Sequence, residues 1–182
     1  ESNTLVLPIR DIVETIDTSD LQRYAETGDW KVSSLTGHNK NVRSKYTEQQ
    51  GATATWTPTI PAGHYTVSFY KIVRQPGADP AVQLEVKHAG GTSVQTLDAS
   101  AGTSGWVDLG TYEFAGDGTE YVRLTRTSPT STPGQEVYTR ADAVRFESRS
   151  LLAALAVPAD GAELPSGASP EIAFNRALDP AG

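Results

Sequence analysis

Short stretches in which apolar and polar residues alternate, separated by glycine- and proline-containing segments, dominate this sequence. In residues 64–72, HYTVSFYKI, the side chains of Tyr65, Val67 and Phe69 fall on one face, and residues 82–88, VQLEVKH, alternate in the same way. Such period-two patterns, rich in β-branched and aromatic residues, are typical of half-buried strands. Further stretches of this kind are 53–60, 92–98, 106–114, 121–127 and 141–147. The spacing predicts an all-β fold, an antiparallel, jelly-roll-like β-sandwich.

One segment carries signals for a helix. In residues 18–28, TSDLQRYAETG, a polar residue near the start can cap one or two helical turns and Gly28 can end them. The candidate caps are Thr18, Ser19 and Asp20. The prediction is therefore at most one short helix, near residues 18–28.

The charge balance restricts the function. The chain carries 15 basic and 22 acidic residues, a formal net charge of −7, and it has no cysteine. This balance argues against nucleic acid or an anionic membrane as a partner, because both require a broad positive potential. Three widely separated histidines form no zinc signature, and no nucleophile elbow or phosphate-binding loop occurs. We expect a monomer without catalytic activity of its own.

Residues 36–47, TGHNKNVRSKYT, gather three cations and one histidine with no acid. If antiparallel strands are joined by simple hairpins, this stretch shares one rim with the loops 73–81 and 128–139. Arginine donates paired hydrogen bonds to a carboxylate or sulfate, and a tyrosine ring packs against a pyranose face, so the rim suits an acidic sugar. A solvated loop without a role is the alternative. The predicted ligand-binding residues are His38, Lys40, Asn41, Arg43, Lys45, Tyr46, Arg74, Gln75, Tyr138 and Arg140.

Six short motifs in order extend over most of the chain. They are GDW (28–30), ATWTP (54–58), PAGHY (61–65), VKHAGG (86–91), GWVDLGTYEF (105–114) and ADAVRF (141–146). On these motifs, residues 12–147 resemble the golvesin/xanthan-lyase-type carbohydrate-binding domain. The resemblance implies a non-catalytic β-sandwich appended to secreted bacterial enzymes that degrade polysaccharides.

The resemblance and the basic rim together predict a carbohydrate-binding module. It would be extracellular and would hold a parent lyase or hydrolase, attached in the same chain, on an acidic polysaccharide. Candidate polymers are chondroitin sulfate, dermatan sulfate, hyaluronan and xanthan. The alternative from another class is a structural spacer or adhesion sandwich without a glycan site.

The C-terminal stretch differs from the rest of the chain. Residues 157–165, VPADGAELP, followed by residues 170–182, PEIAFNRALDPAG, resemble the opening of a bacterial Ig-like domain. The predicted organisation is a linker over residues 1–11, a β-sandwich carbohydrate-binding domain over residues 12–149, and over residues 150–182 a truncated Ig-like start or a linker.

Two further sites remain open at this point. No cofactor is expected, although a structural calcium ion has four candidate ligands. These are Asp17, Asp29, Asp117 and Asp142. If the loop rim is not the glycan site, the concave face of a sheet is the second choice, with Arg123 and Arg126 as its cations.

Overall fold

The architecture is built from strands. A computed structural model describes residues 11–148, 153–155 and 172–174, and no helix occurs among them. The strands are β1 (Val13–Asp17), β2 (Tyr24–Thr27), β3 (Lys31–Thr36), β4 (Arg43–Thr47), β5 (Thr53–Trp56), β6 (Gly63–Lys71), β7 (Val82–His88), β8 (Gly91–Leu97), β9 (Gly105–Phe114), β10 (Tyr121–Arg126), β11 (Thr139–Ala141), β12 (Ala143–Ser148), β13 (Ala153–Leu155) and β14 (Ile172–Phe174). The predicted all-β, antiparallel fold is confirmed.

Two antiparallel sheets form the sandwich and a third extends it. The four-stranded sheet has the order β1-β12-β6-β9, and the five-stranded sheet has the order β2-β5-β10-β7-β8. The three-stranded sheet has the order β11-β4-β3. Its strand β4 pairs with β11, which immediately precedes β12 of the four-stranded sheet, so the three-stranded sheet continues the sandwich at one end.

The core lies between the two large sheets. Tyr65, Val67 and Phe69 of β6 are buried, as the alternation predicts, and so are the inward residues of β7. The rings of Trp56 and Phe69, which belong to opposite sheets, lie 5.9 Å apart between centroids in an edge-to-face arrangement. Because aromatic side chains bury large apolar areas, such contacts across the sandwich hold the sheets together.

The segment with helix signals folds into turns followed by a strand. Residues 18–19 and 21–23 are turns, and the amide of Tyr24 donates to the carbonyl of Asp20 at 2.7 Å. Tyr24 then begins β2, opposite Trp56 of β5, and its ring lies 5.4 Å from that indole. Burial of Tyr24 in the core therefore prevails over local helix propensity.

The assumption of simple hairpins is wrong for most connections. Between residues 11 and 148, consecutive strands pair only in β3–β4 and β7–β8. The connections from β5 to β6, β6 to β7, β8 to β9 and β9 to β10 cross between the two large sheets. Crossing is the way in which a sandwich places the apolar faces of neighbouring segments opposite one another.

Two of the three segments predicted to share a rim, the loops 73–81 and 128–139, are in contact, whereas residues 36–47 form the end of β3, a hairpin tip and β4. The side-chain amide of Gln75 donates to the carbonyl of Ser100 at 3.0 Å, and the amide of Tyr138 donates to the carbonyl of Gly77 at 2.7 Å. The end of the sandwich where the loops 73–81, 99–105 and 128–139 converge is called the loop end below.

The terminal predictions fall largely outside the described residues. Residues 1–10, most of the expected linker, lie outside them, and within 150–182 only β13 and β14 are described, as an antiparallel pair. The domain boundaries and the Ig-like start stay predictions. Among the described residues, no helix has the length and apolar character needed to cross a membrane.

Candidate functional site

A groove of about 420 Å³ opens at the loop end. We call it the Arg74–Arg140 groove. One wall is strand β3, and the other side is formed by the loop that carries Arg74 and by the segment that leads into β11. Its lining residues are Val32, Ser33, Ser34, Leu35, Tyr46, Arg74, Tyr138 and Arg140.

An irregularity in strand pairing shapes the β3 wall. Lys31 and Val32 pair with Tyr46 and Lys45, whereas Thr36 pairs with Arg43, so β3 contains two more residues than β4 between these pairs. A bulge of this kind bends the strand and turns side chains out of the regular alternation. It places residues 33–35 along the groove, where the hydroxyl of Ser33 accepts the amide of Leu35 at 3.0 Å.

Two tyrosines line the opposite part of the groove. The rings of Tyr46 and Tyr138 lie 5.5 Å apart at an angle of 80°. Tyr46 sits opposite Arg140 in the β4–β11 pairing, and Tyr138 directly precedes β11. The two rings therefore present both aromatic faces and hydroxyl groups, the combination that packs against and hydrogen-bonds a sugar ring.

Arg140 is half-buried, and no acidic residue in the described part of the chain pairs with it. Its guanidinium carbon lies 5.3 Å from the centre of the Tyr138 ring, and its Nη1 donates to the carbonyl of Tyr138 at 3.3 Å. Its buried Nε has no hydrogen-bond acceptor. Burial lowers the pKa of the Arg140 guanidinium below its ordinary value, and the nearby positive charge of Arg74 lowers it further.

The Arg74–Arg140 groove thus combines two guanidinium groups without a carboxylate. Arg74 is exposed, on the loop 73–81. Within the part of the chain that the structure describes, no carboxylate oxygen lies within 4.0 Å of the charged nitrogens of Arg74 or Arg140. The arrangement favours an anion, since two guanidinium groups can donate several charge-assisted hydrogen bonds to it.

Several predicted site residues point elsewhere. Lys45 lies on the opposite face of β4 from Tyr46 and pairs with Glu26 at 3.4 Å. The side-chain amide of Gln75 is directed to the carbonyl of Ser100. Arg43 borders the groove, where its Nη1 donates to the carbonyl of Ser34.

The remaining three predicted residues lie at the tip of the β3–β4 hairpin, residues 37–42. Lys40 donates from its Nζ to the carbonyl of Gly37 at 3.1 Å, and the amide of Asn41 donates to the side chain of Asn39 at 3.0 Å. The ring of His38 packs on Trp106 and Tyr70, with centroid distances of 4.9 and 5.8 Å. None of the three lines the groove.

Asp142 fastens this tip to the sandwich. Its Oδ2 accepts the backbone amide of His38 at 2.7 Å, and the carboxyl group is 1% exposed. Burial raises the pKa of Asp142 from its ordinary value of 3.8 to about 6, and the negative charge of Asp17 also raises it, whereas the His38 hydrogen bond and the charge of Lys40 lower it. This buried carboxylate therefore holds the tip of the hairpin that carries Tyr46.

Trp106 does not join the core. It is half-buried on the outer face of the four-stranded sheet, and the guanidinium of Arg145 lies over its ring at 4.6 Å. His38 approaches the same indole. Arg145 and His38 therefore cover the Trp106 ring, and the indole supports the hairpin tip.

Arg126 cannot contribute to the second-choice site on a sheet face, because it is buried. That side chain is fully buried between the sheets and pairs with Asp79 at 3.5 Å. Burial lowers the pKa of the Arg126 guanidinium, and the charge of Asp79 opposes this effect. Arg123 does lie on the outer face, where it covers the Tyr121 ring at 4.2 Å and pairs with Glu85 at 3.6 Å.

Each of the four aspartates proposed for calcium makes its own hydrogen bond or ion pair with a nearby residue. Asp17 accepts the amide of Ser19 at 3.1 Å, and Asp117 accepts the amide of Thr119 at 2.8 Å. Asp29 pairs with Lys31 at 3.4 Å, and Asp142 holds the hairpin tip. Within the described ranges, no group of three or more acidic or histidine side chains is arranged to hold a metal ion. Calcium binding stays a prediction.

Sequence reasoning missed the β3 wall. Residues 32–35, VSSL, break the alternation with two consecutive serines. Such a break is the one sequence signal that indicates a bulge here.

Comparison with known proteins confirms the family resemblance. The Golvesin C-terminal domain model matches residues 14–148. A xanthan lyase of Bacillus sp. (strain GL1) is 30% identical over 135 residues, which cover 72% of this chain and 14% of that protein. The chain therefore spans about one seventh of the length of this curated relative.

Solved structures include a similar sandwich. In the structure of a Paenibacillus xanthan lyase, a region aligns with a TM-score of 0.64 and 21% identity, covering 75% of this chain and 13% of that one. The CBM22-2 xylan-binding domain of Paenibacillus barcinonensis Xyn10C aligns with a TM-score of 0.44 and 13% identity, over 75% of this chain and 99% of that one. The family match over residues 14–148 is the decisive result: the chain belongs to the Golvesin C-terminal domain family.

Proposed function

We propose that this chain is a non-catalytic carbohydrate-binding module of a secreted polysaccharide-degrading enzyme, and that the Arg74–Arg140 groove binds an acidic polysaccharide. Its relationship to one seventh of a xanthan lyase supports an accessory role beside a catalytic domain in the same polypeptide. The parent enzyme is a lyase or a hydrolase, and it acts outside the cell.

The observation that carries this proposal is the pair of arginines without carboxylate partners. Six other cations pair with carboxylates of the protein, whereas Arg140 is half-buried beside Arg74 and no described carboxylate lies within 4.0 Å of its charged nitrogens. Leaving a partly desolvated charge unpaired is unfavourable. A bound carboxylate or sulfate group supplies the missing charge and accepts the free N–H groups.

The rest of the groove suits a sugar chain. Tyr46 and Tyr138 offer aromatic faces and hydroxyl groups, and Ser34 and Val32 on β3 form an open polar and apolar wall. An open groove with these groups accommodates an internal segment of a polymer. Suitable polymers carry uronate or sulfate groups: chondroitin sulfate, dermatan sulfate, hyaluronan and xanthan.

The proposal is tested by affinity electrophoresis in gels that contain one of these acidic polymers or a neutral glucan. We expect retardation by an acidic polymer and none by the neutral glucan, with the effect weakening as salt is added. Charge-assisted hydrogen bonds contribute about 1.5–3 kcal/mol. Since 1.4 kcal/mol corresponds to a tenfold change, Arg74→Ala with Arg140→Ala should weaken binding about tenfold to a hundredfold.

Lys45→Ala is the matched control. It removes a cation from the same hairpin, but Lys45 points away from the groove and pairs with Glu26. Binding should persist in this variant. If no gel retards the wild-type protein, or if the double arginine variant binds as tightly as the wild type, the assignment of the groove is incorrect. Absence of retardation in every gel favours the structural-spacer alternative.

A further inference from the structure

Strand β10 ends in an arginine that is buried where apolar residues are expected. Arg126 follows Val122 and Leu124 on the inward face of the strand, and its side chain is 0% exposed. It lies at the loop end, where the loops 73–81 and 128–139 converge. A buried ion pair is by itself weak support for stability, so the contacts must indicate what this one does.

The guanidinium of Arg126 binds the segment that leads to the groove. Its Nη1 donates to the carbonyl of Val137 and to the hydroxyl of Thr139, both at 2.9 Å. Its Nη2 donates to the carbonyl of Pro129 at 2.5 Å and to Ser131 Oγ at 3.4 Å. Val137 and Thr139 flank Tyr138, and Arg140 follows. One planar group therefore fixes the start and the end of the 128–139 loop.

Asp79 binds the same segment from the other loop. Its Oδ1 accepts the hydroxyl of Ser128 at 2.6 Å and the amide of Ala81 at 3.0 Å. Its Oδ2 accepts the hydroxyl of Thr139 and lies 3.5 Å from Arg126 Nη1. Because Asp79 follows Arg74 by five residues, the pair joins the loop of one groove arginine to the segment of the other.

We propose that Arg126 and Asp79 are positioning residues for the Arg74–Arg140 groove. They touch no ligand, but they hold Tyr138 and Arg140 against the loop that carries Arg74, so that the groove is preformed before a ligand arrives. A preformed site binds more tightly because fewer groups are ordered on binding. The expected effect of Arg126 and Asp79 on polymer affinity rests on the proposed function. Their expected effect on the order of residues 128–139 does not depend on it.

The test replaces the ion pair with apolar side chains of similar size, Arg126→Met with Asp79→Leu. A buried ion pair replaced in this way often leaves stability unchanged or raised. Here the change also leaves the carbonyls of Pro129 and Val137 and the hydroxyl of Thr139 without the arginine donor, so we expect a folded protein with a lowered melting temperature. Hydrogen exchange of the amides of Val137 and Tyr138 should accelerate at least about tenfold, while the amides of β7 and β10 stay protected. Retardation by the acidic polymer that binds the wild type should weaken at least about tenfold.

A second variant keeps the inference testable if the apolar pair does not fold. In Arg126→Lys the charge that neutralises Asp79 remains, but an ammonium group cannot replace the planar fork that reaches Pro129, Val137 and Thr139 together. We expect it to fold, with faster exchange at Val137 and Tyr138 and weaker binding. Arg123→Met, on the outward face of the same strand, is the control and should change neither quantity.

The outcomes separate the two proposals. Unchanged exchange at Val137 and Tyr138 in both variants overturns the positioning role, and so does unchanged polymer binding where the wild type binds. If the wild-type protein binds no glycan, the proposed function fails, whereas the exchange measurement still decides whether Arg126 and Asp79 order the 128–139 segment.

Discussion

Replacing Asp142 should change the stability of the protein with pH, because the fold buries this carboxyl group. The carboxyl group lies beneath the hairpin tip, 1% exposed, with one backbone hydrogen bond from His38. Burial and the negative charge of Asp17 favour its neutral form, and the pKa of Asp142 is raised from 3.8 to about 6. The folded protein therefore binds a proton at Asp142 more tightly than the unfolded chain does.

The effect of the Asp142 charge on the free energy of unfolding follows from the size of its pKa change. Each pKa unit corresponds to about 1.4 kcal/mol, so the ionised carboxylate lowers the free energy of unfolding by about 3 kcal/mol above pH 6. Below the unfolded pKa of 3.8 the group is protonated in both states and this penalty vanishes. Its contribution therefore becomes less destabilising as the pH falls from about 6 toward 4.

Asp142→Asn removes the charge and keeps an oxygen that can accept the amide of His38. We expect this variant to be more stable than the wild type by up to about 3 kcal/mol at pH 7.5, with the two proteins converging near pH 4. Urea unfolding at a series of pH values measures the difference.

The control for this prediction is Asp117→Asn, in an exposed turn where a hydrogen bond from Thr119 lowers the pKa of the carboxyl group. Its removal should not stabilise the protein at neutral pH. An Asp142→Asn protein that is no more stable than the wild type at pH 7.5, or a difference that does not shrink on acidification, would refute the assignment of a buried charge.

Two other substitutions test the packing. Gly37→Ala places a Cβ 2.1 Å from the carboxyl group of Asp142, so the hairpin tip must shift; we expect a loss of roughly 1–3 kcal/mol in urea unfolding, and a changed NMR shift of the His38 ring protons as they leave Trp106. Trp56→Ala empties the centre of the sandwich, where the indole is 0% exposed, and should cost about 3–5 kcal/mol in the same measurement. A change below about 0.5 kcal/mol in either variant contradicts the packing described, because that is the range of ordinary surface substitutions.

The strands and their faces could be predicted because the alternation is local. In β6 and β7 each inward residue follows two positions after the last, and a one-residue change of register would expose all of them. The pairing partners could not be predicted in this way. Strand β5 pairs with β10, not with β6, because the apolar faces of sequential segments are buried on opposite sheets.

The candidate site was predicted in part, and the same alternation explains the errors. Lys45 and Tyr46 are neighbours in a strand, so they point to opposite faces and cannot both line one groove. Tyr138 and Arg140 are two residues apart and share a face. The constraint does not show when residues 36–47 are taken as one loop, because β4 begins at Arg43 within them. Alternation also assigns Arg126 to the inward face with Val122 and Leu124, opposite to the face proposed from its charge.

Composition alone does not reveal an anion site in an acidic protein, because it does not show which cations pair with the protein's own carboxylates. Arg23, Lys45 and Arg126 each have a carboxylate partner, as do Lys31, Arg123 and Arg145. Such pairs are not available to a ligand unless the protein's own acids are displaced. Among the arginines that the structure describes, Arg140 alone is half-buried with no carboxylate within 4.0 Å of its charged nitrogens.

The groove arginines should make binding selective for charged polymers over neutral ones. A neutral glucan can contact Tyr46 and Tyr138 but cannot compensate the partly desolvated guanidinium of Arg140, whereas a uronate or sulfate group can. Selectivity for charged polymers should therefore disappear when Arg74 and Arg140 are both replaced, even if weak contacts to the tyrosines persist. Equal retardation of the Arg74→Ala, Arg140→Ala protein by acidic and neutral gels would support this division of roles, and retained preference for the acidic gel would contradict it.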